Sequence, residues 1–197
     1  MLSLCLDTAH KYLVVGLIQD DKVIYRFMEE CWKKQSEMIM PVIDKAFKDC
    51  GLKPTDIDEI VISVGPGSFT GVRIALTIAK VLGSVASIPI YTLSTLQLYA
   101  GLEDALVLLD ARSSRAYVGR YKDFVGEDQI LSIDQVKALV NDKIKIIGDG
   151  SLLGLTDHYP DIVSNFALLR PYYHKVENIH LLAPVYLKAS SEYQANI

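Results

Sequence analysis

Residues Val64 to Ile74 read VGPGSFTGVRI, a glycine-rich turn between an apolar strand and a helix. Such a turn sets backbone N–H groups at a helix N-terminus, where the macrodipole favours an anion, so phosphate binding is the first chemistry to test. The spacing fails both phosphate templates. A Walker loop needs GxxxxGK[ST], and Val72 follows Gly71 where lysine would stand. A GxGxxG fingerprint from Gly65 would need glycine at Thr70, and Phe69 is bulky where backbone would approach a ligand. Ser68 sits in no GxSxG elbow and has no histidine partner assignable in sequence, which makes it a turn residue. Two readings stay open from the local pattern: a tight turn that caps a packed helix, or a device that aims the helix at another protein.

Other residue types that do chemistry are sparse. A metal site of the HxxxH kind, with two imidazoles on one helical face, does not occur. His10, His158, His174 and His180 read as surface or loosely packed side chains. Cys5, Cys31 and Cys50 are odd in number and lack CxxC spacing, so they read as reduced thiols, two of them buried. Asp110 and Arg112, at the end of ALVLLDAR, can form a local ion pair or reach the glycine loop. No catalytic residue and no metal ligand is assigned.

The elements that must position these residues follow from periodicity. Leu2, Leu4 and Leu6 alternate with Ser3 and Cys5, Leu13 to Ile18 form an apolar run, and Val23 to Phe27 alternate again; this predicts a three-stranded antiparallel meander. Ile39, Val42, Ile43, Ala46, Phe47 and Cys50 fall at helical spacing, with Ser36 as N-cap, Gly51 as stop and Pro41 bending the early part. EIVISV, PIYTL, ALVLLDA, AYVGRY and KIKIIGDG read as strands, interleaved with helices near 69–86, 94–102 and 132–141. A mixed sheet with helices packed on it is the expected class. No linker interrupts the chain, and a composition shift near 103–105 suggests domains at 1–103 and 104–197.

With 197 residues and 50% apolar content the chain can build real cores, and its net charge of −4 with scattered Lys and Arg disfavours nucleic-acid binding by the chain alone. The N-terminus MLSLCLDTAHK fits neither a signal peptide nor a membrane span, so no membrane association and a cytoplasmic location are expected.

The helix after the glycine turn carries the strongest physical signal. Its polar residues Arg73, Thr77, Lys80 and Ser84 form one narrow stripe, and Gly71, Ala75, Ala79 and Gly83 form a second, small stripe that invites close approach of another helix. A helix apolar around most of its circumference needs cover on more than one side. The preceding helix, with Met38 and Met40, or a second subunit could supply it.

DTA at Asp7 to Ala9, GPGSFTGVRIA from Gly65 to Ala75, STL at Ser94 to Leu96, LDARSSRAY from Leu109 to Tyr117, GDG at Gly148 to Gly150 and PVYLK near the C-terminus resemble the TsaB (YeaZ) family, in family order over nearly the whole chain. The resemblance implies an actin-like, Hsp70-like ATPase (ribonuclease-H-like) fold with a shortened second half. It also implies a non-catalytic part in making N6-threonylcarbamoyladenosine at position 37 of tRNAs that read ANN codons. The implied partners are a TsaD-like catalytic subunit and a TsaE-like ATPase, with tRNA reached only through the complex. Relatives pack the two helices as a four-helix bundle against the partner and form homodimers through the same surface. The residues that map onto this contact are Met38, Ile39, Val42, Phe69, Val72, Ala75, Leu76, Ala79 and Gly83. Many relatives carry histidine where this chain has Gln35.

In ATPases of the actin-like class a carboxylate at the end of the first strand helps hold Mg²⁺-nucleotide, which marks Asp7, Thr8, Gly148 and Gly150 as a weak or vestigial nucleotide site. The alternative is that Asp7 and Thr8 satisfy the turn's own backbone donors. No tightly bound cofactor is expected, with ATP or ADP and Mg²⁺ at a shared interface left open. The competing functional class is a stand-alone actin-like kinase or ATPase, and the missing histidine pair argues against a metallopeptidase.

Overall fold

The computed structural model describes residues 1–31, 33–121, 126–141 and 143–188. The expected meander is present: β1 (Leu2–Asp7), β2 (Tyr12–Gln19) and β3 (Lys22–Glu30) pair antiparallel, with a register irregularity at Leu17/Ile18. β4 (Glu59–Ser63) lies parallel to β1, and β5 (Ile90–Leu93) parallel to β4. A second sheet follows: β6 (Ala105–Asp110), β7 (Arg115–Tyr121), β8 (Asp128–Ser132) and β9 (Lys145–Gly148), in the order β8-β7-β6-β9. The chain then returns to the first sheet as β10 (His174–Lys175), completing the order β10-β5-β4-β1-β2-β3.

Period-two alternation explains the layers. Leu4, Leu6, Leu13, Val15 and Leu17 point to one face of the first sheet, where α1 (Gln35–Cys50) and α2 (Phe69–Ala86) cover them. Cys5, Val14, Ile18 and Val61 point to the other face and meet α3 (Thr95–Ala100), α5 (Ile162–Leu168) and the inner side of the second sheet. Strands buried on both faces are near-continuous apolar runs, as β1 and β2 are. A third, smaller cluster lies between Leu106, Leu108, Ala116 and Val118 and Val136 of α4 (Ile133–Leu139).

The 103/104 division falls between α3 and β6, while α5 packs on β2 and β3 and β10 joins β5, so the C-terminal segment crosses back over that line. The part of 104–197 beyond Lys188 lies outside the described residues.

Two local expectations change. α1 starts at Gln35 with Lys34 as N-cap and no side-chain cap, because the Gln35 amide donates to the carbonyls of His10 (2.6 Å) and Tyr12 (3.0 Å) and pins the helix start there; Ser36 is an exposed first-turn residue. α1 runs through Pro41, and Gly51 ends it in the left-handed conformation at φ 67°. Of the thiols only Cys5 is buried; Cys31 and Cys50 are half-exposed.

Candidate functional site

The glycine turn is a knot of close backbone approaches. The Ser68 amide donates to the Ala9 carbonyl (2.7 Å), the Gly65 amide to Thr95 Oγ1 (3.1 Å), and the Gly71 amide to the N-capping Ser68 Oγ (3.2 Å). A Cβ on Gly71 would lie 2.2 Å from the Thr8 carbonyl, and one on Gly67 2.4 Å from that of Ala9. The turn therefore packs against β1, and these three amides are spent on the protein itself.

The four residues marked for nucleotide are all engaged within the fold. Asp7 is fully buried; its Oδ1 accepts from Ser63 Oγ and from the Ala9 amide (3.2 Å), and burial raises its carboxyl above the usual range despite these bonds. Thr8, also fully buried, donates to the Gly71 carbonyl (2.6 Å) and accepts from the Ala75 amide (3.1 Å), so it stitches β1 to α2. Gly148, at φ 98°, would drive a Cβ into the Leu108 carbonyl, and Gly150 into that of Thr156.

A cleft of about 520 Å³ does lie nearby, between the turn after β1, the glycine turn and the end of β6, but it is lined by His10, Lys11, Asp110, Arg112, Asp149 and Lys188 among others, and by none of those four. Across it, His10 Nε2 bonds Asp149 Oδ2 at 3.0 Å, and the same oxygen accepts from the Asp110 amide at 2.7 Å. Burial alone would raise the Asp149 carboxyl; bonds from His10, Tyr159 and that amide outweigh it and hold it below the usual range. His10 is thus no surface histidine: its ring is enclosed by Tyr12, Tyr99 and Tyr159. Asp110 and Arg112 form the local pair, 3.0 Å apart. Among the described residues no group of three His, Cys, Asp or Glu side chains could hold a metal ion.

The nine residues assigned to a partner contact divide between the interior and the surface of the protomer. Seven of the nine residues, Ile39, Val42, Val72, Ala75, Leu76, Ala79 and Gly83, are buried within the protomer. The small stripe faces the first sheet, as Gly71 against Thr8 and Gly83 against Ile90 demonstrate. The polar stripe is met by the C-terminal segment: Lys80 donates to the carbonyls of His180 (3.0 Å) and Leu182 (3.1 Å), and Arg73 to the Tyr186 hydroxyl (2.7 Å). The Phe69 ring packs against both the Arg73 guanidinium and the Tyr186 ring. A third stripe, Ile74, Ile78, Val81 and Val85, has its first two residues half-buried against the first core and its last two outward, Val81 56% and Val85 83% exposed; on α1, Met38 and Met40 are 39% and 51% exposed. Sequence reasoning missed this stripe because it assigned the small residues outward; the 4-3-4 spacing of the four β-branched residues was the available signal. α2 is also long and apolar enough to cross a membrane, with mean hydropathy 1.4, yet it is the lid of a sheet here.

Comparison with known proteins agrees with this architecture. Residues 29–146 match the family model described as TsaD: tRNA N6-adenosine threonylcarbamoyltransferase. The tRNA threonylcarbamoyladenosine biosynthesis protein TsaB of Bacillus subtilis is 36% identical over 127 residues, 62% of this chain and 56% of that protein. The protein of the same name from Buchnera aphidicola subsp. Schizaphis graminum is 30% identical over 168 residues, 75% of this chain and 78% of that protein. The matched part therefore spans little more than half of the Bacillus relative and most of the Buchnera one. The structure of YeaZ from Pseudomonas aeruginosa superposes with a TM-score of 0.73 at 22% identity, covering 94% of this chain and 99% of that one, which shows a shared fold. By these matches the chain has the actin-like fold and belongs to the TsaB (YeaZ) family, within the wider family that the TsaD model describes.

Proposed function

We propose that the protein acts in tRNA threonylcarbamoyladenosine biosynthesis as a non-catalytic, organising subunit that docks a TsaD-like catalytic partner. The names of its relatives support the pathway, and the apolar stripe Ile74, Ile78, Val81 and Val85, exposed in its C-terminal half, carries the docking reading. An apolar row on a rigid helix, backed by the buried Val72, Ala75, Leu76 and Ala79, is the surface a matching pair of helices would bury. In this reading the same face makes a homodimer in the absence of the partner, a TsaE-like ATPase joins the pair in the cytoplasm, and adenosine 37 of ANN-reading tRNA is met only by the complex.

ATP or ADP with Mg²⁺ belongs in this reading to an interface shared between subunits, because Asp7 and Thr8 are consumed internally. The test is reconstitution with a TsaD homologue and tRNA. The chain alone should modify no tRNA and hydrolyse no ATP, and should co-elute with the partner and switch on its transferase activity. Turnover by the chain alone, or separate elution of the two proteins, would reject the reading.

A further inference from the structure

The segment 176–188 leaves β10 and runs along α2 to the mouth of the cleft. Its start is tied to β5 by the Val176 amide on the Ile90 carbonyl (2.9 Å). Farther along, Lys80 holds its carbonyls at His180 and Leu182, and the Val185 amide donates to the Val64 carbonyl (2.7 Å). The Tyr186 ring lies on Phe69 with centroids 5.1 Å apart and its hydroxyl accepts from Arg73 Nε (2.7 Å). Two residues later Lys188 donates to the carbonyl of Ala111, just past the end of β6. The hydrogen bonds named before it reach the first sheet, α2 or the turn between them; this one lies on the second sheet's side of the cleft, which Lys188, Ala111 and Phe69 all line, and Leu187 beside it packs into the core that both sheets share.

We propose that this strap couples the two sheets to the N-terminus of α2. The three residue-to-residue steps from Val185 to Lys188 span about 10 Å at full extension, so together with one lysine stem they leave little slack. Relative movement of the sheets must then either break the Lys188 bond or draw Tyr186 off Phe69 and Arg73, which form the first turns of α2. Opening of the cleft and loosening of the α2 N-terminus are one event, and whatever fixes either end fixes the other. The coupling belongs to the isolated chain and stands apart from the docking reading.

Amide hydrogen exchange of the full-length chain tests it, with Lys188→Met, Lys188→Arg and Tyr186→Phe. Lys188→Met should raise exchange at residues 67–74 by about fivefold or more, the low end of ordinary coupling energies. The β4 amides serve as reference, so that a global loss of stability is divided out. Tyr186→Phe, which removes only the hydroxyl, should raise exchange at Ala111 and Arg112 across the cleft, and Lys188→Arg should restore protection at 67–74. Exchange that rises only beside each substituted residue, or a Lys188→Arg variant that behaves as Lys188→Met does, would overturn the proposal.

Discussion

Asp7 and Asp149 are both carboxylates taken out of water, and their surroundings push them in opposite directions. Asp7 has only Ser63 Oγ and one amide on Oδ1 while its Oδ2 is buried without a partner, so burial prevails and its carboxyl is raised from 3.8. The folded chain then holds this proton more tightly than the unfolded chain. The stability from Asp7 is full below about pH 3.8 and is lost as pH rises through the raised folded value. Asp7→Asn, which keeps an acceptor and removes the charge, should gain stability over the wild type from pH 4 to pH 8 in urea titrations; a difference that shrinks with pH would contradict this. Asp149 is lowered by its partners, so its contribution is present above about 3.8 and lost as pH falls through the folded value. Asp149→Asn should accordingly cost more at pH 7 than at pH 3. The inward role of Asp7 was one of two readings open in the sequence, since a strand-end Asp-Thr pair serves a turn or a ligand equally well. The cross-cleft partnership of His10 with Asp149, 139 positions away, had no local signal.

Among the elements, α2 shows how far a periodic pattern carries. Its limits and two of its stripes, the polar and the small, were legible, because 18 residues give five turns of 3.6-residue period. Which stripe turns inward was not legible, because small and β-branched residues are both apolar and only the close approach of Thr8 and Ile90 decides. Gly71→Ala should therefore destabilise the chain by about 1–3 kcal/mol through overpacking on the Thr8 carbonyl, read by chemical denaturation. The shorter elements were missed for lack of period: β10 has two residues, and α5 has seven. α5 nevertheless carried a cap signal in Asp161, whose side chain accepts from the Ser164 amide. Following α5, Arg170 donates to Glu59 (2.8 Å) and Ser3 (2.8 Å), fastening the returning chain to β4 and β1. Glu59 is 5% exposed, so Arg170→Met should cost about 3 kcal/mol by leaving a buried carboxylate without its cation.

Over the whole molecule, two sheets share the core around Tyr99 and Phe166, and the C-terminal third ties them together through α5, β10 and the strap. Motif order along the chain made the fold class legible, whereas the strap was not, since its anchors are backbone carbonyls that no sequence pattern marks. The result is a protomer that covers two flanks of α2 from within and leaves one apolar row outside. Ala79 is fully buried, so a charge there would unfold the chain and say nothing of partners. Val85, at 83% exposure, separates the two effects. The most direct measurement is the dissociation constant of the chain with a TsaD homologue for Val85→Arg against wild type, alongside thermal unfolding of each protein alone. A partner-facing row predicts unfolding free energies within about 0.5 kcal/mol and binding weakened about 100-fold or more, as for a charge buried unpaired. Unchanged affinity in the folded variant would contradict it.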